Sequence, residues 1–230
     1  YQNLTILGAN EGLDVFVFSP NRIDWMQSMV RGYMYDRVQQ AWLTKLFPLP
    51  SLIYDRCFFN NKQSYLTYQF HVSKLRAIPS IRFLGYGLGG KWEVGQILQK
   101  DPLLHAYLPE TIRLRSGQQL ETWFEHRTDA FLKPQGGSQG KGALHIHKEG
   151  SMYHVQGRDG RNSPVTGEFK DWSSCWQWLK SLLGSRPYLL QQYLHLHSLN
   201  GMAFDVRSLV QKNGHGHWEH TGMAVRVGKP

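Results

Sequence analysis

The chain predicts a mixed fold, α/β or α+β, and three features point that way. Short apolar, β-branched runs alternate with segments of helical period; glycine and proline clusters punctuate them; and 41% apolar with 13% aromatic residues can bury a sizeable core over 230 residues. That length allows one or two domains and excludes a small disulfide-stapled scaffold.

In the first part, residues 13–19 (Leu-Asp-Val-Phe-Val-Phe-Ser) predict a strand closed by Pro20-Asn21. Residues 29–35 predict a second strand, and 51–55, opened by Pro48-Leu49-Pro50, a third. Over 61–78, Tyr65, Tyr68, Val72 and Leu75 keep helical spacing, although Tyr68, Phe70 and Val72 also alternate as in a strand; the helix is preferred. The cluster Gly85, Gly87, Gly89 and Gly90 marks a boundary, so we expect an N-terminal α/β domain over 1–85 and a second region over 86–230 whose first helix starts near Lys91.

In that second region Leu120, Trp123, Phe124 and Arg127 share a helical face behind Ser116. Trp172, Cys175, Trp176, Leu179, Leu182 and Leu183 form a cleaner amphipathic helix behind Asp171 as N-cap. Strands are predicted over 130–133, 143–148, 152–156, 188–192, 204–212 and 218–227, and the polar, basic stretch 157–166 reads as an exposed loop.

The net charge of +9 suits polyanionic partners: nucleotides, nucleic acid or an anionic surface. Basic residues are scattered and no recognition motif occurs, so nucleic acid is not expected. Cys57 and Cys175 read as ordinary buried thiols in a reducing compartment. No apolar run approaches the roughly 18 residues of a membrane span, and no signal-peptide pattern opens the chain, so the expected location is cytoplasmic. The chain begins at Tyr1 and stops at Gly228-Lys229-Pro230 just after a strand-like run, which suggests a fragment. Three His-x-His pairs, His145/His147, His195/His197 and His215/His217, could each turn two imidazoles to one side of a strand. None has a third ligand at a firm spacing, so they are expected to be solvated and no metal site is assigned.

The segment 131–146, Phe-Leu-Lys-Pro-Gln-Gly-Gly-Ser-Gln-Gly-Lys-Gly-Ala-Leu-His-Ile, reads as a strand ending in Lys133, a glycine loop, and another strand. Such a loop lets backbone N–H groups approach an anion, with Lys141 adding charge. Gln135 and Gly142 stand where a Walker A loop needs Gly and Ser or Thr, and His145 where a dinucleotide fingerprint needs Gly. On this segment alone a phosphate cradle and a structural hairpin turn both remain open.

This strand-Lys-Pro-glycine-loop-strand segment resembles the nucleotide-binding hairpin of the ATP-grasp superfamily. Together with Phe47-Pro48-Leu49-Pro50-Ser51-Leu52-Ile53-Tyr54-Asp55-Arg56, Leu108-Pro109-Glu110-Thr111, Gln191-Gln192-Tyr193-Leu194, 204–212 and 216–222, it is similar to the YheC/YheD endospore coat-associated family over most of the chain. The resemblance implies an ATP-grasp-like fold with an α/β domain before it. It implies that Lys91 and Lys133 hold the phosphates of ATP or ADP, and that the loop of Gly136, Gly137, Ser138, Gly140, Lys141 and Gly142 closes over them. Gln191, Gln192, Tyr193 and Leu194 would form the hinge that reads adenine. Asp205, Arg207 and Arg226 would serve phosphoryl transfer, the bland alternative being a structural Asp-Arg pair. The implied activity is ATP-dependent ligation of a carboxylate to an amine through an acyl-phosphate, on substrates the sequence does not identify, with association to the spore coat; the alternative is a non-catalytic coat scaffold keeping a degenerate nucleotide fold. Where these enzymes commonly place an acid for ribose, this chain has His195-Leu196-His197-Ser198. Their metal ligands, an acid and a later Glu-x-Asn set, would lie past Pro230, so Mg²⁺ is expected only in a complete protein and this piece is expected to be inactive.

Overall fold

The computed structural model describes residues 1–57, 59, 62–85, 89–137, 139–197 and 201–228, without the side chain of Lys62. Gly87 of the glycine cluster, Ser138 of the glycine loop, and Lys229 and Pro230 lie outside the described residues. Two compact units result, Tyr1–Gly87 and Leu88–Pro230. Among the described residues no helix is long and apolar enough to cross a membrane.

The first unit opens with α1 (Gln2–Asn10), followed by an antiparallel meander of β1 (Val17–Asp24), β2 (Met29–Asp36) and β3 (Ala41–Pro48). Its two hairpin turns are built alike. Asp24 accepts from the N–H groups of Met26 and Gln27, Asp36 from those of Val38 and Gln39, and each turn ends on a left-handed residue, Ser28 at φ 53° and Gln40 at φ 50°. Then β4 (Leu52–Ile53) and β5 (Arg82–Phe83) pair in parallel around α2 (Lys62–Arg76). Val30, Ile53 and Leu75 anchor the core, with Phe16 stacked on Phe47 at 4.0 Å.

The first predicted strand is shifted: it begins at Val17 and runs through Pro20-Asn21 to Asp24. A register irregularity between Phe18 and Ile23 absorbs the proline, and β1 is an edge strand, where a missing N–H costs no ladder bond. Neither α1 nor β3 was expected. Cys57 is exposed, not buried, whereas Cys175 is buried and its thiol is pushed up to about 12 by burial, then by Asp171.

The second unit carries α3 (Lys91–Leu98), a 3-10 turn (Pro102–Tyr107), β6 (Thr111–Leu114), α4 (Gly117–Trp123), β7 (Asp129–Pro134), β8 (Leu144–Glu149), β9 (Met152–Arg158), β10 (Pro164–Phe169), α5 (Trp172–Leu183) and β11 (Tyr188–Gln191). Six strands form one antiparallel sheet in the order β10-β9-β8-β7-β11-β6. Burial alternates along β7 to β9, as the two-residue period of a one-side-covered sheet requires. Ala130, Leu132, Leu144, Ile146, Val155 and Leu190 pack with Leu120 of α4 and Cys175, Leu179 and Leu183 of α5. Asp129, Phe131, Lys133, His145, His147, His154, Gln156 and Gln191 therefore share the other face. A separate antiparallel hairpin joins β12 (Phe204–Lys212) and β13 (Trp218–Val227), bulged between Leu209 and Val210.

Two expectations change here. The stretch 157–166 is not a loop: β9 extends to Arg158 and β10 starts at Pro164, leaving a short turn in which Asp159 accepts from the N–H groups of Arg161 and Ser163. Its polar composition is that of an edge strand, with proline at the first position. Arg127 lies past the end of α4, where its guanidinium sits 4.3 Å from the Trp123 ring centroid and pairs with Glu110.

Ser116 caps α4 and Asp171 caps α5 by accepting from the N–H of Ser174 at 2.9 Å, which ties α5 to its start. Leu179→Ala should destabilise the second unit by about 2–5 kcal/mol through an unfilled cavity. Asp171→Ala should cost about 1 kcal/mol through the lost cap. Urea denaturation followed by tryptophan fluorescence measures both, and equal effects would deny Leu179 its central place.

Candidate functional site

Lys133 sits near the end of β7 on the open face, two residues along the strand from the pair Phe131–Gln191 that joins β7 to β11. Its Nζ donates to Gln191 Oε1 at 2.7 Å; Gln191 Nε2 donates to Thr111 Oγ1 at 2.8 Å; Thr111 Oγ1 donates to the Pro109 carbonyl at 2.9 Å. This chain crosses three neighbouring strands and has one polarity. Because the Thr111 hydroxyl spends its hydrogen on Pro109, it must accept from the amide, which turns the amide oxygen toward Lys133.

Lys91 arrives from a different element, the first turn of α3 behind the extended Gly90. Its Nζ donates to the Pro134 carbonyl at 3.0 Å and to the Gly137 carbonyl at 2.9 Å, so it grips the start of the glycine loop. Both ammonium groups line one cavity of about 400 Å³ with Trp92, Thr111 and Gln191. Burial lowers the pKa of Lys91; burial and then the charge of Lys91 lower that of Lys133. Among the described residues neither has a carboxylate within ion-pair reach. Each keeps donor capacity beyond its carbonyl and amide partners.

The glycines of the loop differ in role. Gly137 at φ 98° and Gly140 at φ 71° are left-handed with open space around them. Gly142, at φ 75°, is held by packing as well: an added Cβ would lie 2.8 Å from Tyr188 Oη and 2.9 Å from Pro134 Cγ, while its N–H donates to the Asp159 carbonyl. Gly136 has nothing near its Cα hydrogens, and Lys141 is exposed.

The hinge residues divide. Gln191 faces the lysine cavity, whereas Gln192 and Tyr193 line a second cavity of about 600 Å³ with Thr128, Asp129 and His195. The Gln192 N–H donates to the Glu110 carbonyl at 2.9 Å. Tyr193 stacks on His145, centroids 3.6 Å apart and 9° from parallel. Leu194 is exposed, and its carbonyl accepts from the Leu196 N–H.

Asp129 accepts from His145 Nε2 at 2.6 Å, His147 Nδ1 at 3.0 Å and Thr128 Oγ1 at 2.8 Å. Burial alone would raise its pKa, but these hydrogen bonds outweigh it and hold the carboxyl below the usual value. Burial lowers His145 despite the carboxylate beside it.

Asp205, Arg207 and Arg226 form their own cluster on the β12–β13 hairpin, and among the described residues none lines the lysine cavity. Arg226 is the cross-strand partner of Asp205 and grips it at 2.9 and 3.0 Å; Arg207 Nε donates at 3.2 Å. The hydrogen bond from Arg226 is the main cause that lowers the Asp205 pKa.

From the residues themselves Lys133 stands out as the lysine that ends a strand before the glycine loop; its phosphate-holding role, like that of Lys91, comes through the resemblance. Asp129 was not singled out; Thr111 entered only within its motif, and His145 and Tyr193 entered separately, as one of a histidine pair and as a hinge residue, with nothing to join them. Strand alternation places them on the open face, but which strands are neighbours is a tertiary fact.

The mixed α/β architecture, with its glycine loop between two strands, is consistent with the ATP-grasp class. Residues 80–230 match the YheC/D like ATP-grasp family, and the chain belongs to that family. It is similar to the endospore coat-associated protein YheC of Bacillus subtilis (strain 168), 30% identical over 221 residues, which cover 94% of this chain and 59% of that protein. It is also similar to the endospore coat-associated protein YheD of the same organism, 24% identical over 227 residues, covering 99% of this chain and 50% of that protein. The chain thus spans between half and three-fifths of the length of these relatives.

Membership of an ATP-grasp family implies adenine-nucleotide binding. The donor set fits: two partly desolvated ammonium groups without a carboxylate counter-charge suit a polyphosphate. Magnesium does not find such a fit, because among the described residues no group of three or more His, Cys, Asp or Glu could hold a metal ion.

Because Lys91 lowers the pKa of Lys133 through its charge, Lys91→Met should raise that pKa toward the ordinary lysine value. NMR titration of ¹³C-methylated lysines checks this. An unchanged Lys133 would mean that burial alone perturbs it.

Proposed function

We propose that this region binds ATP or ADP with its phosphates on Lys91, Lys133 and the backbone of the loop containing Gly136, Gly137, Ser138, Gly140, Lys141 and Gly142. The observation that carries the reading is the convergence of two partly desolvated lysines, each with spare donors, on one cavity. Adenine is read at the hinge of Gln191, Gln192, Tyr193 and Leu194. Since the Gln192 N–H is already committed to Glu110, the base would be met by the groups on either side of it.

The reaction class is ATP-dependent ligation of a carboxylate to an amine or similar nucleophile. A carboxylate oxygen takes the γ-phosphoryl group and ADP leaves; the nucleophile then attacks the acyl carbon and phosphate leaves. Arg207 and Arg226 would meet the transferred phosphoryl oxygens with their N–H groups, and Asp205 would hold the two guanidinium groups in place. Magnesium, which none of the described residues is assigned to hold, would supply charge neutralisation to such a reaction only in the complete protein. For the whole protein we propose association with the spore coat, from the names of the relatives. Those names equally favour a second reading, a non-catalytic coat component that binds nucleotide without turning it over.

Calorimetry with ATP and ADP should give one site, weakened about tenfold or more in Lys133→Ala, the worth of a charge-assisted hydrogen bond in a partly dry cleft. Absence of adenine-nucleotide binding by the whole protein overturns the assignment. Release of ADP separates ligase from scaffold.

Arg207→Ala should lower turnover by the whole protein more than it weakens ATP binding, because the stabilised charge develops as the phosphoryl group moves. Equal losses in steady-state turnover and calorimetric affinity would make Arg207 a ground-state phosphate anchor.

A further inference from the structure

The open face of the six-stranded sheet carries a row of side chains that nucleotide binding does not use. Asp129 pairs in register with His147, His147 with His154, and His154 with Glu168. Directly opposed residues of antiparallel strands point to the same side, so an acid, two imidazoles and an acid stand abreast across β7, β8, β9 and β10. His147 Nδ1 lies 3.0 Å from Asp129 Oδ1, and His154 Nδ1 lies 3.6 Å from Glu168 Oε1. The two ring centroids are 6.5 Å apart.

At His147 the Asp129 carboxylate, within hydrogen-bond distance of Nδ1, holds the hydrogen on that nitrogen and leaves the Nε2 lone pair free to bind an electrophile, the arrangement that orients metal-bound histidines; Glu168, 3.6 Å from His154 Nδ1, lies beyond hydrogen-bond length and offers that ring its charge alone. Neither Nε2 has a protein partner among the described residues. The side chains of His147 and His154 are 43% and 36% exposed, so an ion reaches them from solvent without opening the core. Two imidazoles on one tetrahedral zinc have centroids about 5 Å apart, so the pair must close by roughly 1 Å, within reach of side-chain rotation.

The His-x-His spacing visible in the sequence is not the chelate. His145 has both nitrogens engaged, Nε2 with Asp129 at 2.6 Å and Nδ1 with Gln156 at 3.2 Å, and its face is covered by Tyr193. The partner of His147 is the residue opposite it on the next strand.

We propose that His147 and His154 form a two-imidazole site for a divalent transition-metal ion, zinc first, with Asp129 orienting the ring of His147 and the Glu168 carboxylate beside that of His154. No third His, Cys, Asp or Glu ligand completes it among the described residues, so water fills the remaining positions. Imidazole ligands favour zinc, copper or nickel over magnesium or calcium.

The test is calorimetric titration of the untagged 230-residue chain with ZnCl₂ at about pH 7.5, with thermal melts confirming that each variant is folded. One saturable equivalent is expected, weakened at least tenfold in His154→Asn and in His147→Asn and several-fold in Glu168→Gln, because outer carboxylates tune metal affinity. The site should persist in His217→Asn and give no heat with MgCl₂. A chain that shows no saturable zinc binding overturns the proposal. So does a site that survives His154→Asn or one that disappears in His217→Asn.

Discussion

Two ammonium groups drawn partly out of water into one cleft, with no carboxylate to balance them among the described residues, set the terms for the second unit. Neither could be held there by attraction to the other, since their charges repel. Lys133 is held by the directed chain through Gln191 and Thr111 to the Pro109 carbonyl, and Lys91 by the carbonyls of Pro134 and Gly137. The first chain exists only because β7, β11 and β6 are neighbours in that order. Strand order and charge placement are therefore one arrangement, and its unbalanced positive potential is what an anion would answer.

The same sheet separates cohesion from chemistry by its two-residue period. One face is filled by Leu132, Leu144, Ile146 and Leu190 against α4 and α5. The other bears lysine, aspartate, histidine and glutamine side chains, and its polar groups are paired with one another: Asp129 with two histidines and Thr128, His145 with Gln156, Lys133 with Gln191. Partly buried polar groups persist only when paired, and this pairing fixes the rotamers that give the face its shape. Tyr193, lying flat on His145, continues that network into the hinge.

The β12–β13 hairpin follows another logic. Asp205 sits between two guanidinium groups, bound at both oxygens by Arg226 across the strand pair and by Arg207 two residues along its own strand. All three are well exposed, with side-chain exposures of 39%, 59% and 61% for Asp205, Arg226 and Arg207, so solvent screens the pair and its contribution to stability is small. What the carboxylate contributes is alignment: it presents two planar forks on one face of the ribbon.

From the sequence by itself came the mixed fold class, the two long strands 204–212 and 218–227, α5 behind its Asp171 cap, and the glycine loop with Lys133 at its root, because each is written in local spacing, capping chemistry or turn residues. Local spacing was silent or misleading at the edges. β1 runs through a proline because an edge strand can spare the N–H, and β10 is polar because an edge faces water, so both contradict the composition expected of strands. It was silent, too, on every relation across strands. That Gln191 supports Lys133, that Thr111 orients Gln191, and that His147 faces His154 while His145 is occupied all follow from which strands are neighbours and in what register, which long-range packing of the apolar face decides.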